Sequence, residues 1–171
     1  MKKNLVVIGY GGMGAGFHCK HAQKSDVVNL AGIYDIDENK AALAEKNGIR
    51  AYHSLDEVLS DKSVDLVTVA IPNDSHKEVV IRALEAGKHV ICEKPVAVSL
   101  ADLNEMIAAS EKSGKLFTVH QNRRFDVDYL AIKKIVEDNT IGAPLRIESR
   151  IHGSRGIPSD WRGTKEHGGG M

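Results

Sequence analysis

The sequence predicts an α/β fold of the Rossmann, doubly wound type, a parallel sheet covered by helices on both faces, with the beginning of a second α/β unit behind it. Three observations predict it. Short apolar runs rich in β-branched residues alternate with amphipathic stretches that open on capping residues and close on glycine. A glycine-rich turn joins the first apolar run to the first amphipathic stretch. The composition, 42% hydrophobic and 27% charged over 171 residues, is that of a globular chain with a sizeable core.

Each element follows from its own pattern. Leu5 to Ile8 is a short, wholly apolar strand, and Met13 to about Lys24 is the helix behind the glycine turn. Val27 to Tyr34 forms the second strand. Glu38 to Asn47 is helical, with Gly48 as its C-cap. Arg50 to Tyr52 is a weak strand, and Ser54-Leu55-Asp56-Glu57 has the spacing of a capping box at the start of a short helix. Val64 to Ile71 is a buried strand. Ser75-His76-Lys77-Glu78 repeats the capping-box spacing before an amphipathic helix that stops at Gly87. His89 to Cys92 is the next strand, Ser99 caps a helix running to Ser113 with Gly114 ending it, and Leu116 to His120 closes the first domain. Residues 1–120 are thus read as one domain and 121–171 as the start of another, with a helix from Asp126 to Glu137 and a strand from Leu145 to Ile151.

Composition excludes several function classes. Lys plus Arg equals Asp plus Glu at 23 each, so no basic surface is set aside for nucleic acid or an anionic membrane. No apolar run approaches the ~18 residues of a membrane-spanning helix. Cys19 and Cys92 lack CxxC spacing and read as reduced thiols of a cytoplasmic protein. His18, Cys19 and His21 lie close in sequence but make no convincing ligand set, so no metal site is assigned. The expected partner is a small molecule.

Gly9-Tyr10-Gly11-Gly12-Met13-Gly14 is a GxGxxG pattern between strand and helix. In such a loop Gly9 permits the tight turn, Gly11 lets backbone approach a diphosphate, and Gly14 lets helix and strand pack closely, while the helix N-terminus offers N–H donors and positive potential. Gly12 and Met13 supply two of the amides. The alternative is a glycine turn that binds nothing, and Asp35 weighs against it. This residue ends the second strand roughly 20 positions after the loop, where a carboxylate accepts hydrogen bonds from the adenosine ribose. A plain turn or N-cap aspartate is the competing reading. Asp37 and Glu38 follow with no arginine, so NAD is favoured over NADP, Lys40 being the one nearby cation able to meet a 2′-phosphate.

The most specific segments are Ile71-Pro72-Asn73-Asp74-Ser75-His76 and Ala86-Gly87-Lys88-His89-Val90-Ile91-Cys92-Glu93-Lys94-Pro95. With Gln121-Asn122-Arg123-Arg124-Phe125 and Trp161-Arg162, the chain resembles the Gfo/Idh/MocA family of glucose-fructose oxidoreductase and inositol dehydrogenase. The resemblance implies an NAD(P)-dependent oxidoreductase acting on sugars, polyols or related small molecules, with a substrate domain following the nucleotide domain; a homo-oligomer is expected from the unpaired strand at Leu145 to Ile151. It implies that Lys94 is the active-site lysine, orienting a substrate hydroxyl and stabilising negative charge as hydride moves. It places Ile71, Pro72, Asn73, His76 and Glu93 beside the coenzyme, with Asn73 as a contact and His76 as either a contact or an anchor of its helix. Taken alone, Lys94 would read as a solvated surface charge, and Arg123 and Arg124 as a bridge between domains.

The family continues beyond a segment like Gly168-Gly169-Gly170 into a helix carrying an aspartate and a histidine, whereas this sequence ends at Met171 and His167 precedes the glycines. An incomplete substrate domain is therefore expected. The alternatives are an enzyme fragment and a domain that only binds NAD. Leu145 to Ile151, a strand without its sheet, is expected to pair with another chain or to form a mobile tail.

Overall fold

The computed structural model describes residues 1–150, 152 and 163–167. Five parallel strands form one sheet: β1 (Lys3–Ile8), β2 (Val28–Tyr34), β3 (Leu66–Val69), β4 (His89–Cys92) and β5 (Phe117–Val119), in the spatial order β2-β1-β3-β4-β5. The weak strand expected at Arg50 to Tyr52 is a single parallel bridge from Ala51 to Ile33, outside β2. With that bridge counted in chain order, the arrangement is the 3-2-1-4-5-6 order of dinucleotide-binding sheets. Its topological switch point lies where the chain leaves β1 and the strand beside it on the opposite side from β2.

Side-chain alternation on β1 divides the core in two. Val6 and Ile8 point into a cluster with Val67, Val69, Val90 and Met106, while Leu5 and Val7 point the other way, to Ile33, Ala44 and Cys19. The first face is covered by α3 (Leu55–Ser60), α4 (His76–Glu85) and α5 (Leu100–Ser113), which contribute Val58, Val80 and Met106. The second is covered by α1 (Lys20–Gln23), with the π-wound segment Gly14–Cys19 ahead of it, and by α2 (Glu38–Lys46), through Ala22, Cys19 and Ala44. Burial on both faces explains why the strands read as continuous apolar runs.

The caps at Ser54 and Ser99 form as expected, each side chain accepting from a backbone N–H three residues on. Ser75 does not. Its backbone is already helical and its side chain caps nothing, because a 3-10 turn over Asn73–Ser75 starts the winding earlier, and Ser75 N–H instead donates to Pro72 O. The strand expected over Leu145 to Ile151 is also corrected. Residues 145–150 carry no strand pairing, because a strand needs a partner to bond and the edge strands β2 and β5 take none of these residues, and Ile151 lies outside the described residues. Beyond β5 come a 3-10 turn over Asn122–Phe125 and α6 (Val127–Glu137), which buries none of its residues. Trp161, Arg162 and the Gly168 to Gly170 run lie outside the described residues.

Candidate functional site

The carboxyl ends of β1, β3, β4 and β5 carry nearly all the residues singled out above. Gly9 leaves β1 with φ at +96°, a conformation that side chains rarely adopt, and a Cβ there would drive into the Ala70 carbonyl on the neighbouring strand exit. A Cβ on Gly14 would strike Gly9 O. These two glycines are therefore demanded by packing of the loop on itself. Gly11 and Gly12 differ, since a Cβ on either would meet nothing within 4 Å. Space thus stands open above the amides of the first helical turn, which have no carbonyl of their own helix to bond. An anion approaching there meets N–H groups and the positive end of the helix, so the loop fits the diphosphate of a dinucleotide.

Asp35 is tied to that loop. Its Oδ2 accepts from Tyr10 N at 2.7 Å, its Oδ1 accepts from Asp37 N at 2.9 Å, and Lys40 Nζ stands 3.5 Å from Oδ2. The carboxylate thus braces the turn it was expected to serve as a sugar acceptor. Each oxygen keeps lone-pair capacity beyond these bonds.

The Ile71 to His76 segment forms the facing lip. Asn73 is buried, while Ile71 and Pro72 are half-buried. His76 is fully buried, with Nε2 at 3.0 Å from Ile71 O and Nδ1 at 3.0 Å from Pro95 O. The imidazole works from inside, tethering the lip to the turn that carries Lys94. Lys94 itself is exposed at the end of β4, where a cis peptide bond joins it to Pro95. Lys88, in the same motif, lies at the opposite end of β4. There its buried ammonium donates to the carbonyls of Asp61 and Val64, a purely structural role.

Glu93 is the most enclosed carboxylate of the site, at 5% exposure. Its Oε1 meets His18 Nε2 at 2.7 Å and His120 Nδ1 at 2.8 Å, and its Oε2 accepts from Lys94 N at 3.2 Å. Burial alone would raise its pKa, but the hydrogen bonds from His18 and His120 outweigh burial and hold the carboxyl down at about 2. His18 was weighed only beside Cys19 and His21, and His120 only as the end of a strand, because 75 and 27 residues separate them from Glu93. A second unforeseen contact joins His167 Nδ1 to Asp74 Oδ2 at 2.9 Å, bringing residues 165–167 onto the lip. The trio His18, Cys19 and His21 does not assemble. Cys19 faces the core with its thiol pushed up to about 11 by burial, and His21 stacks on Phe17.

Comparison with known proteins agrees with this geometry. Residues 3–121 match the Gfo/Idh/MocA model, described as an oxidoreductase family with an NAD-binding Rossmann fold. The structure superposes on an NAD-binding protein from Listeria innocua with a TM-score of 0.94 and 48% identity, covering 99% of this chain and 50% of that one. It superposes on GenD2 from gentamicin A biosynthesis, solved in complex with NAD, with a TM-score of 0.75 and 28% identity, covering 81% of this chain and 40% of the other. The myo-inositol 2-dehydrogenase of Thermotoga maritima is 38% identical over 150 residues, which are 85% of this chain and 45% of that enzyme. The chain spans about half the length, or less, of the relatives it matches. No helix among the described residues is long and apolar enough to cross a membrane. The matched segment holds the glycine loop at the switch point, the carboxylate after β2 and the Glu-Lys-Pro turn after β4, and the chain belongs to the Gfo/Idh/MocA oxidoreductase family.

Proposed function

We propose that this chain carries the coenzyme domain of an NAD-dependent dehydrogenase that oxidises a carbinol of a sugar or polyol. The observation that carries the reading is the loop itself, closed where Gly9 and Gly14 pack and open where a Cβ on Gly11 or Gly12 would meet nothing. NAD supplies the hydride acceptor when bound. The amides of Gly11, Gly12, Met13 and Gly14 hold its diphosphate, and Asp35 accepts from the ribose while bracing Tyr10. Asp35, Asp37 and Glu38 set three carboxylates against the single ammonium of Lys40, which disfavours a 2′-phosphate. Ile71, Pro72 and Asn73 shape the nicotinamide side, and His76 and Glu93 hold that side in place from within. Lys94 orients the substrate hydroxyl and stabilises charge on its oxygen. Residues 1–120 are then the coenzyme domain, and 121–171 open the substrate domain.

Titration calorimetry tests the coenzyme assignment. NAD binds wild-type protein more tightly than NADP, and Gly14→Val loses at least about 100-fold in NAD affinity, equivalent to roughly 2.7 kcal/mol. Equal binding by the two proteins would remove the loop from the reading. Turnover with NAD against myo-inositol and a panel of hexoses tests the chemistry. Lys94→Ala lowers kcat by about 100-fold or more while NAD affinity stays within about twofold. Inositol dehydrogenases among the relatives motivate the panel. Self-association belongs to the same reading, through the exposed aliphatic side chains of α6, and light scattering of wild type against Leu130→Glu measures it. A reducing, cytoplasmic setting fits two thiols that are both free.

A further inference from the structure

The enclosed carboxylate of Glu93 has an unusual set of neighbours. Among the described residues, its ion-pairing partners are two imidazoles and no lysine or arginine. A buried carboxylate oxygen flanked by two ring nitrogens at hydrogen-bond distance brings three donors of metal-ligand type to one point. Three different backbones present the groups: His18 from the π-wound segment behind the glycine loop, Glu93 from the end of β4, and His120 from the residue after β5. Their donor atoms all lie within 4.8 Å of one another.

We propose that His18 Nε2, His120 Nδ1 and Glu93 Oε1 bind a divalent transition ion of the zinc class, pinning the helix behind the loop to the ends of β4 and β5. Two imidazoles and one carboxylate are a donor set that Zn²⁺ accepts with bonds of about 2.0–2.2 Å, leaving a fourth position for water. That position falls on the side of His120, whose side chain, at 18% exposure, is the least enclosed of the three. Ligand atoms around a tetrahedral ion stand about 3.3 Å apart on those bond lengths. The present contacts of 2.7 and 2.8 Å must therefore open by roughly half an ångström, within reach of side-chain rotation. Each ring now turns an N–H toward Oε1. Ion entry needs a lone pair there, so the hydrogen on each coordinating nitrogen must leave that nitrogen. Nitrogen and carboxylate donors favour Zn²⁺, Co²⁺ or Ni²⁺ over Cu⁺, which would seek a thiolate, and Cys19 is turned away into the core. His18, Cys19 and His21, neighbours in the sequence, make no ligand set, whereas the fold gathers ligands from three distant segments.

Two variants separate ligation from hydrogen bonding. His18→Gln and His120→Asn place an amide N–H where the ring N–H now stands, so the bond to Glu93 persists while imidazole ligation is lost. Chelator-treated chain is titrated with Zn²⁺ by calorimetry and with Co²⁺ by visible absorption. The expected result is one equivalent bound, the intense absorption of four-coordinate Co²⁺, and a rise in Tm of about 5 °C at a hundredfold excess of Zn²⁺ over its Kd. Each variant should lose tenfold or more in Zn²⁺ affinity while melting, ion-free, within about 2 °C of wild type. No stoichiometric uptake, or uptake unchanged in the variants, overturns the proposal. Calorimetry with NAD on the same samples is read separately, because the coenzyme assignment can fail without touching this one.

Discussion

Met106 and Leu130 each sit mid-helix among aliphatic neighbours, yet Met106 is fully buried in α5 and Leu130 in α6 is 46% exposed. The same contrast holds for whole segments. Residues 3–120 enclose two cores, one on each face of the sheet, while α6 leaves Val127, Tyr129, Leu130, Ile132, Ile135 and Val136 open. Helical pattern alone does not bury a side chain. What decides is whether a second layer lies against that face, and α5 has the sheet while α6 has no such layer among the described residues.

The sharpest test of this contrast is paired truncation. Met106→Ala removes a fully enclosed side chain and should cost about 2–5 kcal/mol in denaturant unfolding. If it costs less than about 1 kcal/mol, the core facing α5 is not the cooperative unit described here. Next in size is an acid effect confined to the enclosed region. The Glu93 carboxyl is held at about 2 against an ordinary 4.5, so its contribution to stability is complete above pH 4.5 and is lost as pH falls toward 2. In Glu93→Gln, Tm should therefore fall less steeply between pH 4.5 and 2. Some slope must survive, because Asp61, held at about 2 from 3.8 by hydrogen bonds from Ser63 and Tyr52, loses stability over an overlapping range. An unaltered slope would mean that the two imidazoles do not stabilise the carboxylate in solution. The smallest effect is the counterpart on the open helix. Leu130→Ala should change unfolding free energy by less than about 0.5 kcal/mol in dilute monomer, and a larger loss would show that α6 is covered in solution.

Much of the first domain was legible in sequence because local chemistry and long-range burial agree there. Val67 and Val69 are β-branched and enclosed on both sides, so an apolar run meant a strand, and Ser54 and Ser99 do what N-cap serines do. Legibility failed where tertiary context decides. Ser75 has the spacing of a cap, but the chain is already wound when it arrives. Leu145 to Arg150 have strand-like residues, but a strand exists only beside another, and neither edge strand, β2 or β5, pairs with them. The coenzyme loop announced itself since six consecutive residues encode it. The cluster around Glu93 did not, because no local pattern marks three side chains that meet only after the sheet has closed. His76 falls between these cases: its place in the motif was visible, but its tether to Pro95 was not.

The enclosure of Cys19 and Cys92 has a practical consequence. Burial pushes their thiols up to about 11 and about 12, and their exposures are 1% and 0%, so alkylating reagents at neutral pH find neither a thiolate nor a path to one. A single surface substitution such as Asp74→Cys would then be the preferred target for a maleimide fluorophore, and the native chain would need no thiol removed beforehand to report distances from the lip of the crevice.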